Sequence, residues 1–270
     1  MSFQPIIVGT GYSAWRFLQQ TLPQQSAAFE KSAELKREAD YFRQQIGSVE
    51  TASELMADPR LLRVALTAFG LEGDVPNRAF IEKILSDGTL DEKAFANRLA
   101  DKRYSALSKA FGFGDFDTPR TQLSDFADNI VSRYLDRRFE TAIGEQNGDL
   151  RLALSAGAGI TDVITGNRSD RARWFAIMGN APLRRVVETA LGLPSSIGKL
   201  DLDQQFTQFQ DRAQAVLGRK DAEALADPEI QEKVIRLFLV RTEASNLNAA
   251  SGGYVALSLL QSMPRLNALG

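Results

Sequence analysis

Apolar residues recur at three- and four-residue spacings along most of the chain, as they do on the buried face of an amphipathic helix. Clear examples are Leu61, Val64, Ala65 and Ala68, and later Ile230, Val234, Leu237 and Phe238. Only Pro5–Val8 has the short β-branched run that is typical of a strand, and a single strand makes no sheet. The pattern therefore predicts an all-α protein, a compact multi-helix bundle.

Signals for helix starts and stops separate these runs. Asp58-Pro59 and Asp227-Pro228 each place a capping carboxylate before a proline at the first helical position. Gly70, Gly112 and Gly192 are each followed by a large apolar residue. We interpret these three glycines as structural helix stops, because glycine readily takes the left-handed conformation that ends a helix.

The segment that ends at the first stop has an echo later in the chain. Residues 61–71 read LLRVALTAFGL, and residues 183–193 read LRRVVETALGL. Two interpretations stay open. Effective helix ends resemble one another, or a helical module is duplicated, with related halves at 48–115 and 178–242. The irregular spacing excludes a solenoid of short repeats.

The chain divides in this interpretation into three parts. Residues 1–47 form an N-terminal arm and helix, residues 48–242 the helical body, and residues 243–270 a C-terminal helix. We expect interruptions of helix where proline or small residues occur, at Pro23, 155–159 and 251–253.

Both terminal helices are amphipathic and carry large apolar residues. Tyr12, Trp15 and Leu18 share one face of the first helix, and Leu257 and Leu260 lie in the last. Because amphipathic helices pair through such residues, we predict that these five form a surface for protein partners. The alternative is that they close the protein's own core.

The composition excludes several kinds of chemistry. The chain of 270 residues contains no histidine and no cysteine. It therefore has no Ser-His-Asp triad, no cysteine nucleophile, no disulfide and none of the usual zinc or haem ligands. Carboxylate, lysine, tyrosine, serine or threonine chemistry, or the chemistry of a bound cofactor, stays open. The formal net charge of −2 argues against a nucleic-acid partner.

Further classes are excluded by motif. No run of about 18 apolar residues is present, so we expect no membrane span. The N-terminus lacks a charged region followed by an apolar stretch, so we expect no cleaved signal peptide. Calcium loops that start at Asp115 or Asp201 would need glycine and glutamate at fixed positions where other residues stand. We predict no metal site.

A glycine motif near the N-terminus is the candidate for cofactor binding. Gly9, Gly11 and Ala14 match the G-x-G-x-x-A pattern of dinucleotide-binding loops. Such a loop needs a second strand that ends in an acidic residue about 20 residues on. Residues 24–46 instead have a helical pattern rich in Gln, Glu and Lys. We predict no cofactor, and a nucleotide-dependent enzyme that uses Gly9–Ala14 is the alternative.

Several segments together resemble an uncharacterised bacterial family, a domain of unknown function. The resemblance is carried by residues 11–18, 48–62, 65–71, 94–104 and 187–194. It implies no catalytic residues, because none is established for the family. It does imply a context, since the genes of members are often found among flagellar genes and some members are described as flagellar proteins.

We therefore predict that the protein is not an enzyme. The prediction is a flagellum-associated structural, assembly or export protein that acts through helical protein–protein surfaces, located in the cytoplasm or at the flagellum. A cytosolic helical adaptor is an alternative of the same class.

Overall fold

The computed structural model describes residues 3–99, 101–166 and 169–262, with side chains up to residue 247. This part of the chain forms thirteen α-helices and no β-strand, which confirms the predicted all-α class. The helices are α1 (Gly11–Glu30), α2 (Ala33–Gln45), α3 (Ala52–Ala57), α4 (Pro59–Ala68), α5 (Arg78–Asp87), α6 (Phe95–Arg98), α7 (Arg103–Phe111), α8 (Phe126–Gln146), α9 (Gly148–Gly166), α10 (Asp170–Gly179), α11 (Ala181–Leu191), α12 (Leu202–Leu217) and α13 (Pro228–Ser262).

The chain divides into two compact units. Unit 1 comprises Met1–Ile7 and Leu18–Gly148, and unit 2 comprises Val8–Phe17 and Asp149–Gly270. The predicted body, residues 48–242, is thus distributed over both units. Each predicted half lies within one unit, 48–115 in unit 1 and 178–242 in unit 2. The predicted boundary between body and C-terminal helix falls inside α13.

In unit 1, α4 packs against α2 and α8 and buries most of its side chains. A single residue, Asp58, separates α4 from α3, and its carboxylate accepts hydrogen bonds from the backbone N–H groups of Arg60 (2.8 Å) and Leu61 (3.1 Å). This is an N-cap, which satisfies donors that a helix start leaves free. At the other end Gly70 has φ +68°, and the Leu71 N–H donates back into the last turn of α4.

In unit 2, α11 packs against α10, α12 and α13. Asn180 alone separates α11 from α10, and its side chain accepts the N–H of Leu183 at 3.1 Å. Gly192 has φ +69°, and the Leu193 N–H donates to the Glu188 carbonyl at 3.0 Å. The central helix of each unit therefore begins at a capping side chain and ends at a left-handed glycine.

The three predicted interruptions of helix are wrong. α1 continues through Pro23, α9 through 155–159, and the backbone of α13 through 251–253. Glycine lowers helix propensity by about 1 kcal/mol without forcing a stop, so packing can outweigh it. In α9 the small residues permit close packing. A Cβ on Gly157 would lie 3.5 Å from Gln231 of α13, and one on Gly159 would lie 3.9 Å from Leu183 of α11.

Across the described residues, none of the helices combines the length and the apolar character that crossing a membrane requires.

Candidate functional site on helix α13

Helix α13 packs into unit 2 through apolar residues up to Leu239. Val234, Ile235, Phe238 and Leu239 are buried in unit 2. Beyond Leu239 the described apolar side chains face solvent.

We call Val240, Ala244 and Leu247 the α13 face, because their spacing of four and three residues places them on one side of the helix. Val240 is 49% exposed and Leu247 66% exposed. Ala244 is exposed as well.

Residues 8–15 lie against the same helix. We call Val8–Trp15 the N-terminal strap; it belongs with α13 to unit 2. Thr10 Oγ1 donates to Glu243 Oε1 at 2.6 Å, and the Tyr12 hydroxyl donates to Glu232 Oε1 at 2.7 Å. Trp15 Nε1 also donates to Glu232, at 3.4 Å to Oε2. Two carboxylates of α13 thus accept three hydrogen bonds from one short segment.

The glycines of the strap leave space for the Glu243 carboxylate beside the backbone. Gly9 and Gly11 have φ of +90° and +49°, conformations that other residues rarely take. A Cβ on Gly11 would overlap the Glu243 carboxylate. Ala14 is fully buried. A carboxylate of the same chain therefore lies where the dinucleotide motif would bring a pyrophosphate.

The predicted partner residues of the first helix require a correction. Trp15 is 5% exposed and Leu18 is completely buried, so the prediction that they face a partner is wrong for these two. The chain's own packing covers them, which is the alternative stated above. Tyr12 is half-buried and is bonded to Glu232. The side chains of Leu257 and Leu260 lie outside the described residues.

Sequence reasoning missed Glu232 and Glu243. A glutamate on a helix is an ordinary solvent-facing residue in sequence, and the partner of Glu243 is 233 positions away. The glycines suggested only an approach of a pyrophosphate to the backbone. They did not indicate a carboxylate of the same chain.

All three predicted helix stops have positive φ, with Gly112 at +71° after α7. At Gly192 a side chain from another helix also contacts the end of α11, which the sequence did not reveal. Arg241 of α13 donates to the carbonyls of Thr189 (3.2 Å) and Ala190 (2.7 Å). The Thr189 carbonyl also accepts the N–H of Gly192 at 3.0 Å. A cation at this end of α11 is favourable for the helix dipole.

A shallow groove of about 340 Å³ lies in unit 1. Lys31, Lys36 and Arg43 line it together with Glu30 and Asp40. The mixed charges favour neither an anion nor a cation.

Close to this groove, burial raises the pKa of Asp136, and the charge of Glu30 raises it further. The positive charge of Arg137 lowers this pKa and opposes part of the rise. Among the described residues, no group of three or more acidic side chains is placed to hold a metal ion.

The fold and the site together define an all-α protein of two helical units with an exposed apolar face on its last helix. A family model described as a protein of unknown function, DUF1217, matches residues 68–230, and the chain belongs to this family. The crystal structure of a protein from Agrobacterium tumefaciens is similar, with 27% identity and a TM-score of 0.71. The match covers 90% of this chain and 98% of that one. No curated protein matches the chain.

Proposed function

We propose that this protein is a non-catalytic, flagellum-associated protein that acts in structure, assembly or export, and that it binds a partner protein through the α13 face. The observation that carries the proposal is the exposure of Val240 and Leu247 on a helix that buries Val234, Ile235, Phe238 and Leu239 just before them. Exposed apolar residues in a stripe favour helix-to-helix binding. The flagellar part of the proposal rests on the family resemblance of the sequence.

Deletion of the gene followed by complementation tests this function. We expect the deletion strain to lose swimming and the wild-type chain to restore it. Leu247→Asp should fail to restore swimming, because a carboxylate in an apolar helix interface is left desolvated and unpaired. Its melting temperature should stay at the wild-type value, because substitutions at exposed sites change stability little.

Leu202→Asp is the matched control. Leu202 is 60% exposed, close to the 66% of Leu247, and lies at the start of α12. A strain with this variant should swim normally. Normal swimming of the deletion strain would contradict the flagellar function and favour the cytosolic adaptor. Equal swimming with both leucine variants would contradict the role of the α13 face.

A further inference from the structure

We propose that Arg212 and Arg241 form a carboxylate-binding site at the end of α11, and that the partner protein supplies the carboxylate as an aspartate or glutamate side chain. This inference rests on the proposed function, because the same partner would engage the α13 face.

The two arginines approach the end of α11 from two other helices of unit 2. Arg212 belongs to α12 and Arg241 to α13. A Cβ placed on Gly192 would overlap the guanidinium of Arg241 and would lie 3.2 Å from Nη2 of Arg212. Two guanidiniums that reach the same point are close enough to bind the two oxygens of one carboxylate.

The carbonyls of α11 use only part of these guanidiniums. Arg212 donates through Nε and Nη2 to the Leu191 carbonyl, at 3.1 and 2.8 Å. Arg241 donates through Nη1 to the carbonyls of Thr189 and Ala190. Because a guanidinium carries N–H donors on all three of its nitrogens, Nη1 of Arg212 and Nη2 of Arg241 can serve another acceptor.

The positive charge of these two arginines is not balanced by an ion pair. In the part of the chain that the structure describes, no carboxylate oxygen lies within 4.0 Å of either guanidinium. None of the residues three or four positions from Arg212 or Arg241 along their helices is acidic. Glu188, one turn before the end of α11, is paired with Arg184 at 2.9 Å. A helix end supplies only about half a negative charge, so a positive charge remains that an anion can neutralise.

The position of Arg241 indicates where that anion comes from. Arg241 is three residues before Ala244, so it is a neighbour of the α13 face on the surface of the helix. Both arginines are half-buried, which strengthens their attraction for a carboxylate relative to that in bulk water. A partner helix that packs on the α13 face with an acidic residue at its edge would therefore place that carboxylate against Arg241.

Nuclear magnetic resonance of the full chain tests the site with a matched pair of probes. The α-amide of N-acetylglutamate carries the carboxylate, and the α-amide of N-acetylglutamine has nearly the same shape without the charge. At constant ionic strength, the glutamate probe should shift the side-chain Nε–H signals of Arg212 and Arg241 along one saturable curve. The glutamine probe should leave both signals in place. Equal responses to the two probes, or no response to either, would overturn the site.

Variants assign the response to the two arginines. Arg212→Gln should raise about tenfold the probe concentration that half-saturates the Arg241 signal. Because Arg212 also holds the end of α11, Arg212→Lys is the second variant. It keeps the charge and loses the planar guanidinium, and it should raise that concentration about threefold. An unchanged concentration in both variants would contradict the site.

Arg236→Gln is the matched control. Arg236 is an exposed arginine of the same helix α13, and its guanidinium makes no contact with the end of α11 among the described residues. This variant should leave the half-saturating concentration at the wild-type value, and an equal rise would mean that the probe responds to general positive charge alone.

Swimming distinguishes the source of the carboxylate. We expect Arg212→Lys to reduce swimming of the complemented deletion strain while its melting temperature stays close to the wild-type value. Normal swimming together with a saturable probe response would exclude the partner as the source and assign the site to a small carboxylate ligand. The probe titration needs no partner, so its failure is distinct from failure of the proposed function, which Leu247→Asp tests separately.

Discussion

The end of α11 offers a test of how much a tertiary contact adds to a local helix stop. Gly192 and Gly218 both end helices of unit 2 with positive φ, at +69° and +83°. A Cβ on Gly218 would meet nothing within 4 Å, whereas a Cβ on Gly192 would overlap the guanidinium of Arg241. Alanine at Gly218 therefore introduces backbone strain alone. Alanine at Gly192 introduces the same strain and displaces Arg241.

The expected losses of unfolding free energy follow from these contacts. The left-handed conformation costs an alanine roughly 1–2 kcal/mol, so Gly218→Ala should lower the free energy of unfolding by that amount. Gly192→Ala should also lose the hydrogen bonds from Arg241 to two carbonyls of α11. Hydrogen bonds from a charged donor contribute roughly 1.5–3 kcal/mol. We expect a total loss of about 2.5–5 kcal/mol for Gly192→Ala.

Urea unfolding followed by tryptophan fluorescence measures both losses. The chain has two tryptophans, Trp15 and Trp174, and both belong to unit 2, so the signal reports the unit that is changed. In an Arg241→Ala background, Gly192→Ala should cost the backbone strain and a small shift of Arg212, whose Nη2 lies 3.2 Å from the new Cβ. The difference between the two backgrounds measures the contribution of the Arg241 guanidinium. Equal losses for Gly192→Ala and Gly218→Ala in the native background would refute the reasoning, since Arg241 would then give way freely.

The remaining predictions concern the cap of α4 and the glycine motif. Burial raises the pKa of Asp58, but hydrogen bonds from the Tyr41 hydroxyl and from the backbone N–H groups of Leu61 and Arg60 lower it by more. The net pKa of Asp58 is therefore below its ordinary value. Its stabilising contribution is therefore complete above the ordinary pKa near 4 and is lost as the pH falls through the folded-state pKa. Asp58→Ala should cost roughly 1 kcal/mol at pH 7 in urea unfolding and less at pH 2.5, and a loss independent of pH would contradict the charged cap. NAD, FAD and ATP should leave the melting temperature unchanged, because Glu243 lies against Gly11; a clear rise with any of them would favour the nucleotide-dependent alternative.

Several features of the fold could be read from short stretches of sequence. The all-α class follows from apolar spacing, and the start of α4 follows from Asp58 before a proline. The stops at Gly70 and Gly192 follow from a glycine before a leucine. Each of these features is decided by groups within five positions of one another, and local backbone hydrogen bonding is enough to specify it.

Other features depended on residues far apart in the chain. The glycines 157 and 159 suggested a loop, and packing against α11 and α13 made them part of a helix. Trp15 and Leu18 suggested a partner surface, and the fold buried them. An amphipathic pattern indicates that a residue packs against an apolar neighbour. It does not indicate whether that neighbour belongs to the same chain or to another one.

The candidate site shows the same division. The motif at Gly9 and Gly11 predicts a backbone that a pyrophosphate could approach. Whether a phosphate or a carboxylate lies there depended on where α13 places Glu243, which is 233 residues from Thr10. Local sequence decides what a backbone segment can accommodate, because that depends on its own sterics. Tertiary structure decides which group occupies that space, because the group belongs to an element that is distant in sequence and is brought close by packing.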